Sequence, residues 1–274
     1  MEEGGAPASV RPGWVDRLRS LPMSVFARLV WPVGRALLPE RLVKTIGPYR
    51  LSLRGRSLSH FLRYVDLWEP RYRRRMMECV ATGANVLELG SAYGYYTLLL
   101  ANRVGPGGAV IGVEPFPRYF EGLVELKERN GIPNLRLLNV GIGDSSAGCF
   151  EFGVEDANPY AGIAAVNALQ PGSVIGGSPG APVASESVKV ATVTLPALLE
   201  REGFEPDYIV MDIEGGEVSV IEQLVSMNLR PELLFEAHAG LIGESRMSHC
   251  LDLLAQMGYL IEKIDADHFR AAHP

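Results

Sequence analysis

Two apolar runs end in side chains that could move a proton. Tyr208-Ile-Val-Met211 delivers Asp212-Ile-Glu-Gly-Gly-Glu217, and Glu232-Leu-Leu-Phe-Glu-Ala-His238 delivers Glu236 and His238. Each run suits a buried strand, and residues two apart on a strand point the same way, so Glu236 and His238 share a face. Carboxylates beside an imidazole suit removal of a proton from a hydroxyl, with His238 the candidate base because histidine titrates near neutrality. Asp212 then orients the substrate or base, with Glu214, Glu236 and His238 on the substrate side. Asp212 and Glu236 are also candidate ligands for Mg2+, an ion that prefers oxygen donors, although a histidine is a less natural partner for it. For Glu214 and Glu217 the plainer alternative is stabilisation of a helix N-terminus against its dipole.

A second constellation could hold a nucleotide-like group. Val86-Leu-Glu-Leu89 leads into Gly90-Ser-Ala-Tyr-Gly94, and Ile111-Gly-Val-Glu-Pro115 follows, which places Glu114 24 residues beyond Gly90. A carboxylate at that distance, at the end of the next strand, accepts hydrogen bonds from ribose hydroxyls. The loop lacks the third glycine of a dinucleotide fingerprint, which argues against a pyrophosphate at the helix N-terminus. S-adenosylmethionine carries no phosphate and fits better, with Glu88 near its cationic methionine end. Candidate contacts to it are Glu88, Gly90, Ser91, Tyr93, Gly94, Tyr95 and Thr97, then Glu114, Pro115 and Phe116, and finally Asp212. Asn139, Gly141 and Asp144 are placed to flank the adenine. Gly90 and Gly94 let the backbone turn tightly and approach a ligand where a Cβ would intrude.

The elements that must position these residues alternate. Helical stretches over Tyr95–Val104 and Arg118–Asn130 separate the strand candidates, with turns at Gly105-Pro-Gly-Gly108 and Asn130-Gly131. Such alternation requires a parallel sheet with right-handed crossovers, and ligands collect at the carboxyl ends of its strands. Residues 145–187 interrupt the rhythm with Gly, Pro, Ala and Ser, and are read as an inserted substrate loop.

The 274 residues carry a net charge of −6, with 47% hydrophobic and 21% charged residues, as expected for a globular protein. Cys79, Cys149 and Cys250 are odd in number and widely spaced, which argues against disulfides or zinc and suggests a reducing cytoplasm. Residues 1–80 hold 15 Lys or Arg against 7 Asp or Glu, whereas the remainder holds 11 against 25. The basic segment, 1–67, is read as a helical extension serving as lid or dimer contact, with peripheral contact to an anionic membrane as the alternative. The acidic remainder excludes a polyanion, so no nucleic-acid partner is expected, and the partner is a small-molecule substrate. Oligomeric state is not readable, a homodimer being one option.

The ordered set Glu88-Leu-Gly-Ser-Ala-Tyr-Gly-Tyr-Tyr-Thr97, Val113-Glu-Pro115, Val188-Lys-Val-Ala-Thr-Val193, Asp212-Ile-Glu-Gly-Gly-Glu217 and Phe235-Glu-Ala-His238 resembles the FkbM-type methyltransferases from about residue 68 to 262. Glu69-Pro70 resembles the pair that family carries upstream. The resemblance implies an α/β class I methyltransferase fold, Rossmann-like, whose seven-stranded, mostly parallel sheet ends in an antiparallel strand. It also implies O-methylation of a hydroxyl on a sugar or natural-product scaffold. Met211 stands where the family commonly has Lys, and Leu195-Pro196 where it has Leu-Asp, both on the acceptor side. A nicotinamide-dependent oxidoreductase and a non-catalytic S-adenosylmethionine-binding protein are the rival functions.

Overall fold

The computed structural model describes residues 36, 39–54, 58–144, 148–154, 186–227 and 229–274. The chain divides into two compact units, Met1–Lys44 with Ser52–Trp68, and Thr45–Leu51 with Glu69–Pro274. Residues 45–51 thus belong with the larger unit.

The expectation of a purely helical extension needs correcting. Its first extended elements are β1 (Arg41–Ile46) and β2 (Tyr49–Arg54), a two-stranded sheet, followed by helix α1 (Leu58–Tyr64). Leu42, Lys44 and Ile46 are buried while Arg41, Val43 and Thr45 are exposed, a period of two that only a strand can present. Within the smaller unit Lys44 Nζ sits 2.7 Å from Asp66 Oδ2, and the Arg63 guanidinium lies 3.9 Å over the Trp68 ring. The apolar stretch 23–38 lies outside the described residues except for Ala36. Among the described residues no helix is long and apolar enough to cross a membrane.

The larger unit opens with α2 (Pro70–Cys79) and continues through β3 (Asn85–Leu89), α3 (Tyr95–Val104), β4 (Ala109–Val113), α4 (Pro117–Asn130) and β5 (Leu135–Leu138). Then come β6 (Gly141–Ile142), β7 (Cys149–Val154), β8 (Glu186–Val193), α5 (Leu195–Glu202), β9 (Tyr208–Met211) and α6 (Glu217–Met227). β10 (Glu232–Glu236), α7 (Ala239–Ile242), α8 (Glu244–Gln256), β11 (Leu260–Lys263) and β12 (His268–Ala272) complete the chain. The main sheet has the order β11-β12-β10-β9-β3-β4-β5, and only β12 runs against the rest. This is the Rossmann-like class I arrangement with its antiparallel last strand. Val86, Leu87, Leu89, Ile111, Ile209, Met211 and the run Leu233–Phe235 are buried without alternation, as strands of a sheet covered on both faces must be.

Register explains the site. Leu89 pairs with both Val113 and Met211, and Met211 pairs with Phe235, so these strands end level with one another. The next residues, Glu114, Gly90, Asp212 and Glu236, therefore form a row across the carboxyl edge, at about 4.8 Å per strand. Glu236 in turn pairs with His268, the first residue of β12, which extends the row. The chain leaves β3 toward β4 on one side and β9 lies on the other, so the row spans the point where the strand order reverses.

The 145–187 segment also needs correcting at its ends. β7 and β8 pair antiparallel from Cys149↔Ala191 to Val154↔Glu186, and β6 joins β8 in parallel, making a three-stranded sheet. Residues 145–147 and 155–185 lie outside the described residues.

Gly90 and Gly94 have φ of +89° and +82°, but their need for glycine comes from the protein itself. A Cβ on Gly90 would stand 1.9 Å from the Asp212 carbonyl oxygen, and one on Gly94 would stand 2.4 Å from Leu126 Cδ2. Approach to a ligand is therefore not what excludes a side chain there. Gly90→Ala combines left-handed backbone with a backbone clash, and should cost about 2–4 kcal/mol. Urea unfolding of the variant checks this, and an unchanged midpoint would contradict the packing.

Candidate active site

Glu114 closes β4 with both carboxylate oxygens engaged. Oε2 accepts from Ala92 N and Oε1 from Phe116 N, each at 2.8 Å, so this side chain ties the glycine loop to the end of β4. Each oxygen retains a further acceptor direction. Burial pushes the carboxyl up to about 7, opposed by those two backbone N–H groups. Beside it, Tyr93 and Tyr119 approach through their hydroxyls at 3.3 Å, and Phe116 meets Tyr119 edge-on at 5.3 Å. Sequence reasoning placed Tyr93 and Phe116 here. It missed Tyr119, although the first turn of α4 after Glu114 was the place to look. Pro115 is partly exposed in the same turn.

Several predicted donor contacts turn inward, which corrects their role. Glu88 is buried at 2% exposure, and its Oε2 accepts from Ser91 Oγ at 2.8 Å and Thr97 Oγ1 at 2.6 Å. Ser91 and Thr97 thus spend their hydroxyls beneath the loop, and the Tyr95 ring is buried beside Tyr96. Together they hold the loop's shape from below. Burial pushes Glu88 up to about 7 against the two hydroxyl bonds. Gly141 is likewise buried inside β6 opposite Thr192, and Asp144 is bonded by Ser219 of α6. Asn139 donates to the carbonyls of Glu114 and Pro115 at 2.8 and 3.0 Å and so braces the end of β4.

On the other side of Gly90 the predicted acidic cluster assembles. His238 Nε2 lies 3.4 Å from Glu214 Oε2, 3.7 Å from Asp212 Oδ1 and 3.8 Å from Glu236 Oε1. Its Nδ1 is 2.9 Å from Glu217 Oε1, a carboxylate with no exposed surface whose same oxygen also accepts from Ile213 N. Glu217 therefore does more than face a helix dipole, because it fixes the imidazole. His238 stands two residues beyond Glu236, past the end of β10, as the N-cap of α7. Glu214 sits at φ +51°, a left-handed conformation unusual for a side chain of its kind.

The electrostatics alter the expected roles. Burial opposes a charge on His238, but the Glu217 hydrogen bond and the charges of Glu217, Glu214 and Glu236 outweigh it and push the pKa up to about 9. The surrounding carboxylates thus favour the protonated form of the unliganded imidazole. Asp212 is raised well above the usual carboxylate range by burial first and then by the charge of Glu236, with His238 opposing. Glu236 is raised too, by burial first, with His238 opposing.

A second imidazole was missed. His268 is 5% exposed and lies beside the cluster, with Nδ1 2.7 Å from Asp265 and Nε2 3.6 and 3.7 Å from Glu69 and Glu236. Burial opposes its charge, but Glu69 and Asp265 carry it up to about 9. Tyr72 stacks on it at 4.2 Å, and Tyr96 donates to Glu69 at 2.6 Å. The Glu69-Pro70 pair was visible in sequence, whereas nothing near His268 marks it. The basic run 71–75 is partly internal: Tyr72 is buried, and Arg75 forms a bidentate pair with Glu262.

Residues 82–261 match the FkbM methyltransferase domain, and the chain belongs to that family. The matched domain is a methyltransferase domain. One curated relative, the protein-L-isoaspartate O-methyltransferase of Caenorhabditis elegans, is 43% identical over 51 residues, 19% of this chain and 21% of that protein. The match thus spans about a fifth of that relative's length. Among solved structures, fibrillarin from Aeropyrum pernix with bound S-adenosyl-L-methionine superposes at a TM-score of 0.42 and 15% identity, covering 73% of this chain and 74% of that one. Precorrin-6y C5,15-methyltransferase from Geobacter metallireducens gives 0.45 and 12%, covering 76% and 89%.

The residues at the β3 and β4 ends suit that cofactor, since Glu114 keeps spare acceptor positions beside an aromatic wall. Glu88 supplies a pH signature of the loop. A carboxyl raised from 4.5 to about 7 on folding contributes stability below pH 4.5 and loses it as pH rises through 7. Urea unfolding from pH 4.5 to 8 should show Glu88→Gln spared about 2–3 kcal/mol of that decline. Parallel profiles for the two proteins would contradict the burial of the charge.

Proposed function

We propose that the chain methylates a hydroxyl oxygen of a small molecule, a sugar or a natural-product scaffold, with the donor held at the β3 and β4 ends and the acceptor at the β9 and β10 ends. The observation that supports this division is the level row Glu114, Gly90, Asp212, Glu236, in which ribose-accepting and proton-accepting carboxylates fall on opposite sides of the loop. When bound, S-adenosylmethionine supplies an electrophilic methyl group.

The chain's own residues then have two tasks. Glu114 accepts hydroxyl hydrogens on the donor side while the Tyr93, Phe116 and Tyr119 rings bound that space. On the acceptor side Asp212 and Glu236 are the carboxylates placed to take the hydroxyl proton, and both have proton affinities raised above the usual carboxylate range. His238 holds Asp212 and Glu236 by charge, and Glu217 holds His238. Held at the right position and angle, the oxygen needs little else for displacement at carbon.

Two variants separate the halves. Asp212→Asn should lower kcat at least 100-fold while leaving the donor's Kd within about threefold. Glu114→Gln should weaken donor binding about tenfold or more at pH 8, and should remove the weakening that wild type shows between pH 8 and pH 6 as the carboxyl protonates. Calorimetry reads the affinities. Transfer from methyl-labelled donor into cell-extract metabolites, followed by mass detection, reads turnover and identifies the product. Donor binding without any labelled product would support the non-catalytic alternative instead.

A further inference from the structure

Asp212, Glu214 and His238 each direct one potential ligating atom into a common space, all three atoms lying within 4.8 Å of one another. The separations of His238 Nε2 from Glu214 Oε2 and Asp212 Oδ1, 3.4 and 3.7 Å, are long for hydrogen bonds. They approach the edges of a coordination shell: ligands about 2.1 Å from a common ion stand roughly 3.0 Å apart in an octahedron and 3.4 Å apart in a tetrahedron. His238 is also prepared in the way that metal-binding histidines are. Its Nδ1 is held by the buried Glu217 carboxylate, which fixes the ring and leaves the Nε2 lone pair facing the carboxylates once the proton is gone.

A separate feature points to a ligand here. Tyr72 is 2% exposed, its hydroxyl has no hydrogen-bond partner, and among charged groups Asp212 bears on it most strongly, followed by Glu69 and Glu236. Buried hydroxyls are paired in native structures, and an oxygen bound to an ion between these carboxylates would pair this one. The neighbouring group Glu69, Glu236 and His268 is a weaker candidate because Glu69 is taken by Tyr96.

We propose that Asp212, Glu214 and His238 bind a single divalent first-row transition ion such as manganese, iron or zinc. The imidazole nitrogen favours these over magnesium, which prefers an all-oxygen shell. This recasts the sequence-based pairing of Asp212 with Glu236 for Mg2+, since Glu236 groups with Glu69 and His268 instead. The site stands on its own geometry, and only its use rests on the methyl-transfer reading: the ion would hold the acceptor oxygen and lower its pKa. With Asp212 then a ligand, Glu236 is the member of the pair left to take the proton.

The test titrates Mn2+ into the full chain after chelator treatment, following loss of the free-ion signal by electron paramagnetic resonance. One ion per chain is expected, with Glu214→Gln and His238→Gln each weakening affinity at least tenfold and Glu217→Gln by 10–100-fold. Glu214 is half exposed, so its variant tests the site even where the buried Glu217 variant fails to fold. No Mn2+ binding by wild type up to 1 mM, or unchanged affinity in Glu214→Gln, would overturn the site. Magnesium displacing manganese at equal concentration would overturn ligation by nitrogen. Donor affinity measured without metal reads the methyl-transfer proposal separately: ion binding without donor binding removes that proposal and leaves the site.

Discussion

The hydrogen bond between His238 Nδ1 and the fully buried Glu217 carboxylate fixes the geometry on which the acceptor side depends. Five carboxylates, Glu69, Asp212, Glu214, Glu217 and Glu236, meet at the edge of one sheet, and like charges at such spacing repel unless a cation stands among them. Glu217 holds the imidazole by one nitrogen and thereby presents the other to Asp212, Glu214 and Glu236 at once. His268, held in the same manner by Asp265, does this for Glu69 and Glu236 on the far side. Glu236 offers one oxygen to each ring, so the two imidazoles and the carboxylate between them form a continuous charged floor.

That floor is available because the sheet ends are level. Parallel pairing with Leu89 opposite Val113 and Met211 leaves no freedom in where the following residues fall. The glycine at position 90 lets the loop pass directly over the Asp212 carbonyl, which brings donor-side and acceptor-side residues to neighbouring strands. Beneath the loop, Glu88 with Ser91 and Thr97 provides a rigid base. A buried carboxyl there is costly when ionised, and its raised proton affinity is the measure of that cost.

Much of this was legible from the sequence. Unbroken apolar runs before Gly90, Glu114, Asp212 and Glu236 mark central parallel strands, and strand ends in such a sheet are where a site must be. What was not legible depended on side-chain direction or distant register. Thr97 and Ser91 have types that suit ligand contact, but whether a hydroxyl turns to the ligand or to Glu88 is decided by packing. His268 enters the site only because β12 inserts antiparallel between β10 and β11, a pairing with no local signature. The raised proton affinity of His238 depends on three carboxylates from two segments, which residue type alone does not reveal. The alternating pattern of 41–46 could have been read as a strand, but the basic composition around it drew attention to helices.

A structure of the full chain crystallised with S-adenosylhomocysteine tests the central division of the site most directly. The account predicts ribose hydroxyls within hydrogen-bond distance of Glu114 and a thioether sulfur opening toward Asp212, Glu236 and His238. A ribose away from Glu114, or a sulfur turned from that cluster, would contradict it.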